Sequence, residues 1–172
     1  MSANGKDFNF GIANFDDHIE HSIPSYTNLI QTSVGYLKYF INADKILPAS
    51  IDLGCTTGKF SMLLRDCTKR DDCFGYDVEL QGDAATTGGF FNKDIVNEII
   101  CPANTYTSFF TLQFLHRRDR TKVIEKIYNS LPVGGAFIIA EKVIFEDSYL
   151  QSITQEIHAG VKTLFFLCQH ES

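Results

Sequence analysis

The sequence has no excess of positive charge. Its 15 lysines and arginines stand against 21 aspartates and glutamates, for a formal net charge of −6 over 172 residues. That balance removes the broad basic footprint of a nucleic-acid surface, so no direct nucleic-acid contact is expected, and it suits a small-molecule ligand better. A close Cys-x-x-Cys pair is also missing. The five cysteines, Cys55, Cys67, Cys73, Cys101 and Cys168, are odd in number and scattered, which argues against a disulfide framework and for reduced thiols in a cytoplasmic protein. The five histidines show no ligand-like spacing with these cysteines, so no metal site is expected. No apolar run approaches membrane-spanning length, and the N-terminal MSANGKDFNFGIANF lacks the basic start and apolar core of an export signal. Repeats and low-complexity tracts are absent as well.

What is present is an apolar fraction of 44%, enough for one globular domain over residues 1–172. Residues 1–14 are polar and glycine-bearing and read as flexible; residues 15–45 read as an N-terminal cover region whose helix starts near Pro24. Tyr26, Leu29, Ile30, Val34, Leu37 and Ile41 recur there at helical spacing, and Asn42 and Asp44 close the helix. The spacing then predicts a strand at Ser50–Gly54, a helix at Lys59–Asp66 with Phe60, Leu63 and Leu64 inward, and a strand at Cys73–Glu79. Further strands are expected at Phe90–Val96, Thr105–Leu115 and 136–143, with an amphipathic helix between the last two on Val123, Ile124, Ile127, Tyr128 and Leu131. A last helix from about Tyr149 would face inward through Leu150, Ile153, Ile157, Val161, Leu164 and Phe165. Strands alternating with helices imply a parallel α/β sheet. One connection is anomalous: between Glu79 and Phe90 lie only small, turn-forming residues, where a parallel crossover usually holds a helix.

The chain is organised around Ser50–Phe60, SIDLGCTTGKF, in which an apolar run ends in an acid and breaks into a glycine-spaced turn. Gly54 and Gly58 allow a loop that wraps a ligand, and equally allow close strand-to-helix packing. The turn is not Gly-x-Gly-x-x-Gly, and it lacks the lysine-serine ending of a phosphate loop. Asp77, roughly 20 residues on at the end of the second strand, holds the position that meets ribose hydroxyls in nucleotide-binding α/β folds. An adenosine ligand without phosphates fits this pair, and S-adenosylmethionine (SAM) is the common one. Asp94 reads by itself as the N-cap of a helix over Val96–Ile100.

The ordered blocks FDDHIEHSIPSYTNLI, DLGCTTG, Asp77, NKDI, FTLQFL, KIY and AEKVIFED resemble the carboxy-S-adenosylmethionine synthase family within the class I methyltransferase-like superfamily. The resemblance implies a Rossmann-like, mainly parallel sheet of about five strands in the order 3-2-1-4-5 with helices on both faces. It implies SAM as cofactor, with Tyr26 contacting it, Gly54, Cys55 and Thr56 giving backbone contacts to its methionine part, and Asp77, with Val78 beside it, on the ribose. Asp94 and Ile95 would flank the adenine, the acid taking the exocyclic amine and the following N–H meeting a ring nitrogen. In the family, the methyl group of the cofactor is carboxylated with carbon dioxide from prephenate, and the product feeds wobble-uridine modification of transfer RNA.

The chain departs from the family at three places. Phe109 stands where the family has an asparagine before FTLQFL. The last helices, with an antiparallel strand pair and the arginine that grips the product carboxylate, have no counterpart before Ser172. The crossover helix after the second strand is missing. No residue declares itself catalytic; His116 lies near the expected site edge but reads equally as a surface residue, and Arg117, Arg118 and Arg120 as a solvated helix start. The expectation is therefore a SAM-dependent transferase, either carboxy-SAM synthase-like or a methyltransferase. A catalytically reduced SAM-binding module and a truncated remnant that self-associates, as a homodimer, through an unfinished sheet edge remain as alternatives.

Overall fold

The computed structural model describes residues 15–41 and 46–157. Two helices, α1 (Phe15–Ser22) and α2 (Tyr26–Leu37), precede β1 (Ser50–Leu53), α3 (Lys59–Thr68), β2 (Cys73–Asp77), β3 (Phe90–Asn92), β4 (Thr105–Phe109), α4 (Arg117–Ser130) and β5 (Ala136–Ala140). The five strands form one sheet in the order β3-β2-β1-β4-β5, and every pairing is parallel. This is the expected Rossmann-like arrangement. With β1 central, the loops that leave β1 and β4 emerge side by side, so the sheet order itself brings the glycine turn against the FTLQ segment.

The two faces of the sheet are covered unequally. On one, Ile30, Val34 and Leu37 of α2 pack with Phe60 and Leu64 of α3 over Ala49 and Cys73. On the other, Val123 and Ile127 of α4 pack on Ile51, Leu53 and Tyr106, together with Ile95, Ile100 and Ala103 from the β3–β4 connection. Two members of the expected α4 stripe are on the solvent side: Ile124 is 44% and Tyr128 78% exposed. A single helix over one sheet face needs only the Val123–Ile127 ridge, so the wider stripe has nothing to meet.

Several expected boundaries shift. The cover region holds two helices, because Phe15–Ser22 forms a separate helix of about two turns before the break at residues 23–25. β3 stops at Asn92, where Asp94 caps a turn with its side chain (Val96 N–H to Asp94 Oδ1, 2.8 Å) and so competes with the strand ladder. No helix follows over 96–100. β4 ends at Phe109, and the TLQF stretch forms a 3-10 turn, Leu112–Phe114. The fifth strand ends at Ala140. Residues 148–157 are helical, but Leu150 is 50% and Ile157 62% exposed, so no inward face forms over the described part. Asn42, Asp44, Val161, Leu164, Phe165 and Cys168 lie outside the described residues.

The missing crossover helix resolves into one 3-10 turn, Gly82–Ala85, laid on the glycine loop by Gln81 N–H to Thr56 O (2.9 Å) and Ala84 N–H to Thr57 O (3.2 Å). Arg65 of α3 then holds the return. Its Nε donates to Cys73 O (2.8 Å), its Nη1 to Gly88 O (3.1 Å), and its guanidinium lies 5.0 Å from the Phe90 ring centroid. Gly89 has φ +95°, a conformation that favours glycine, and a Cβ there would sit 2.1 Å from Arg65 Nη2 and displace the guanidinium.

Candidate functional site

The glycine turn begins where β1 ends. Gly54 has φ +80°, and a Cβ there would lie 2.0 Å from Thr111 Oγ1. Glycine is thus required twice, for the backbone conformation and for the approach of the segment after β4. The N–H groups of Gly54 and Cys55 both point to Tyr76 O (2.7 and 3.2 Å), and Thr56 N–H donates to Asp77 Oδ2 (2.9 Å). Carbonyls of Cys55, Thr56 and Thr57 accept from Gly58, Gln81 and Ala84. Among the described residues the turn leaves two backbone groups without a partner, the Thr57 N–H and Gly54 O, the second an acceptor suited to an ammonium. Gly54, Cys55 and Thr56 therefore stand where expected, but their three amides are already used inside the protein.

Asp77 has a role that the sequence did not announce. Besides Thr56 it accepts from Glu79 N–H (Oδ1, 2.9 Å), so one carboxylate ties the glycine turn to the end of β2. Thr56 sits at φ 45° and Phe110 at φ 57°. A β-branched and an aromatic residue in the left-handed region are strained positions, and both line the same cavity.

That cavity, of about 390 Å³, lies over the carboxyl ends of β1, β2 and β4. It is lined by all of the expected site residues: Tyr26, Gly54, Cys55, Thr56, Asp77, Val78, Asp94 and Ile95. His116 is not among its lining residues; it is exposed and leads into α4. Sequence reasoning missed α1, which closes one wall through Phe15 and Ile19, with Ile23 just beyond its end. The signal was there, as an apolar i, i+4 repeat behind Asp16 and Asp17. α1 is clasped to the glycine turn by Thr57 Oγ1–H to Asp16 Oδ1 (2.9 Å) and by the Lys59–Glu20 ion pair (3.0 Å). Opposite it, Glu141 accepts from Leu112 N–H (2.6 Å) and Gln113 N–H (3.2 Å), fixing the 3-10 turn after β4. Phe109 packs edge-on against Phe60, ring centroids 4.8 Å apart, and gives the cavity an apolar surface.

The electrostatics favour a cation. Asp16, Asp52, Asp77, Glu79 and Asp94 line the cavity, against Lys59, Lys93 and Lys142. Lys59 is paired with Glu20, and Lys93 lies 4.6 Å from the Tyr76 ring centroid. Asp52 is buried, accepting from Thr107 Oγ1–H at 2.7 Å; burial pushes its carboxyl up to about 7, the Thr107 bond opposes this and the Asp77 charge adds to it. Burial, followed by the Asp52 and Asp77 charges, raises the Cys55 thiol far above its ordinary value, so it stays a protonated packing group. Burial likewise raises the Tyr26 hydroxyl, with Asp52, Asp16 and Glu20 adding to it, and keeps it a neutral donor.

A five-stranded parallel sheet of this order, with its glycine turn after β1 and its acid after β2 in one cavity, has the class I, Rossmann-like methyltransferase fold. Solved structures agree. Streptomyces venezuelae DesVI superposes with a TM-score of 0.58 at 14% identity, covering 77% of this chain and 57% of that one. The DhpI–SAM–HEP complex gives 0.56 at 14% identity, covering 83% and 67%. Magnesium protoporphyrin IX methyltransferase of Synechocystis PCC 6803, with bound SAM, gives 0.52 at 16% identity, covering 72% and 68%.

By sequence the chain is a homologue of the carboxy-S-adenosyl-L-methionine synthases. It is 30% identical over 161 residues to the synthase of Shewanella sp. strain ANA-3, covering 86% of this chain and 65% of that protein. The Nautilia profundicola synthase is 31% identical over 158 residues, covering 86% and 66%. The chain thus spans just under two thirds of the length of these relatives. No protein-family model matches it.

Proposed function

We propose that this chain binds SAM and is a SAM-dependent transferase of the carboxy-SAM synthase type. The observation that carries the reading is one mainly apolar cavity, with acids at its wall, holding the glycine turn, Asp77 and Asp94 together. The residues fit the cofactor: its sulfonium and ammonium are cations in an acidic site, and its size suits a cavity of about 390 Å³. Gly54 O and Tyr26 would hold the methionine part, Asp77 with Val78 beside it the ribose, and Asp94 and Ile95 the adenine. Asp94 already accepts from Val96 N–H and Asn97 Nδ2, and its remaining lone pairs would take the adenine amine. The bound cofactor supplies an activated methyl group beside the positive sulfur.

The protein's own contribution is positioning and exclusion of water. α1 would cover the cofactor, with its clasp on Thr57 and Lys59 setting the closed geometry. Phe60, Phe109 and Phe110 would dry the methyl end. The chain would act as one domain, with residues 15–45 as its cover. In this reading the carboxyl donor is prephenate, the product serves transfer-RNA modification in the cytoplasm, and the chain makes no nucleic-acid contact of its own. Among the described residues no helix is long and apolar enough to cross a membrane.

One observation favours a second reading: no arginine is among the described residues that line the cavity, whose cations are Lys59, Lys93 and Lys142, so the arginine that in the family grips the product carboxylate is not among them. A SAM-binding module without the carboxylation step matches this. Calorimetry with SAM and S-adenosylhomocysteine should give heats of saturable binding; no heat at millimolar ligand would remove both readings. Mass spectrometry of the cofactor after incubation with prephenate separates them, because the carboxylated adduct forms only in the first.

Asp77→Asn tests the placement of the ribose. Loss of charge-assisted hydrogen bonds should weaken SAM binding by about 1.5 to 3 kcal/mol. Thermal unfolding of the same variant reports the separate loss of the tie to Thr56. Unchanged affinity would show that the ribose lies elsewhere.

A further inference from the structure

The connection from β3 to β4, residues 93–104, has to pass beneath β2 and β1 to reach the far side of the sheet. Such a crossover between parallel strands usually contains a helix whose own hydrogen bonds satisfy its backbone. Here it contains a single turn at residues 95–97. Ile95, Ile100 and Ala103 are nevertheless buried in the core under α4, at 6%, 4% and 0% exposure. The carbonyls of this connection therefore need donors from outside it.

Lys126 of α4 supplies them. Its Nζ donates to Ile95 O (3.2 Å), Val96 O (2.6 Å) and Glu98 O (2.8 Å). An ammonium has three N–H donors, and here three carbonyls take them, so the whole hydrogen-bonding capacity of the side chain goes into one stretch of backbone. A second set of bonds closes the same turn from its other side. Asp94 N–H donates to Glu98 Oε1 (2.8 Å), Glu98 N–H to Asp94 O (2.8 Å) and Val96 N–H to Asp94 Oδ1 (2.8 Å). Between these two sets the N–H of Ile95, in a residue only 6% exposed that lines the cavity, has no acceptor among the described residues. A buried donor without a partner, aimed by bonds on the peptide that follows it, is a donor kept for a ligand.

We infer that Lys126 is a positioning residue. By gripping the carbonyls of Ile95, Val96 and Glu98 it holds the Asp94 carboxylate and the Ile95 N–H as a matched acceptor and donor, which is the pattern that reads the amine-bearing edge of adenine. The inference rests on the proposed placement of adenine at Asp94 and Ile95. Lys126 itself does not line the cavity. Its effect reaches the ligand through the backbone, and only that part of the ligand which meets this turn should feel its loss.

The test compares two ligands that differ at one edge. S-adenosylhomocysteine and S-inosylhomocysteine differ at that edge alone: in the second the amine is a carbonyl oxygen and the ring nitrogen beside it carries a hydrogen, so the donor and the acceptor offered to Asp94 and Ile95 are exchanged. Calorimetry on the intact chain should show the wild type preferring the adenosine ligand. Lys126→Met keeps the apolar stem and removes all donors; the preference should fall about tenfold, the worth of roughly one hydrogen bond. Lys126→Arg should keep most of it. A merely structural lysine would lower thermal stability and leave the ratio alone. If Lys126→Met does not fold, Lys126→Gln is measured in the same way, with its shorter amide expected to lose most of the preference. A variant that folds without donors to these carbonyls and keeps the wild-type ratio overturns the inference. A wild type that binds both ligands equally overturns the placement of adenine as well.

Discussion

Gly54→Ala is expected to destabilise the fold by about 2 to 5 kcal/mol and to abolish detectable SAM binding. The estimate joins about 1 to 2 kcal/mol for an L-residue held in the left-handed region with about 1 to 3 kcal/mol for overpacking. The overlap is not confined to rotatable atoms. A Cβ on Gly54 would lie 2.0 Å from Thr111 Oγ1, 2.5 Å from Cγ2 and 2.8 Å from Cβ. Turning the Thr111 side chain cannot relieve the last of these, so the segment after β4 must move. Glu141 holds that segment through Leu112 and Gln113, and Phe110 N–H is bonded to Ala140 O at 2.7 Å. Urea denaturation of Gly54→Ala and of the double variant with Thr111→Ala checks the account. The second substitution should recover part of the loss and leave the backbone strain and the Cβ contact. Full recovery would mean that neither of those matters.

The second large effect is a pH dependence set by Asp52. Its carboxyl is raised by burial from 3.8 to about 7 in the folded protein. Between those values the folded state holds a proton that the unfolded state has released, so stability falls as pH rises. The contribution is absent below pH 4, grows through pH 5 and 6, and reaches its full size above pH 7. At about 1.4 kcal/mol per unit the full penalty is about 4 kcal/mol. Asp52→Asn keeps an acceptor for Thr107 and removes the titration. The variant and the wild type should therefore be similarly stable near pH 4, and the variant more stable by about 4 kcal/mol at pH 8. Urea midpoints measured at both values decide it; parallel stabilities across this range would show that Asp52 is ionised in the fold throughout. A bound cation favours the ionised carboxylate, so SAM affinity should rise with pH through 7 in the wild type.

Much of the architecture was legible because its signals are local. SIDL followed by Gly-Cys-Thr-Thr-Gly reads as a buried strand and a turn from its own residues, and Val123 with Ile127 marks one face of α4 without reference to the sheet. The errors came where a distant group decided a local conformation. Thr105–Leu115 is rich in aromatic and β-branched residues and reads as one strand, yet Glu141 captures the amides of Leu112 and Gln113 and the stretch turns after Phe109. Phe15–Ser22 buries no residue, and its place is set by Thr57 and Lys59, some 40 residues away.

The sequence by itself determined the strand and helix alternation, the glycine turn and the acids that end β1 and β2, because propensity, periodicity and turn chemistry are properties of neighbouring residues. Tertiary structure alone decided three further things. It closed α1 over the site, it made Asp52 a buried acid beside Thr107, and it put Lys126 under the turn that carries Asp94 and Ile95. Each of these depends on the sheet order β3-β2-β1-β4-β5, which brings together groups 28 to 55 residues apart, and desolvation and hydrogen bonding act on distance in space.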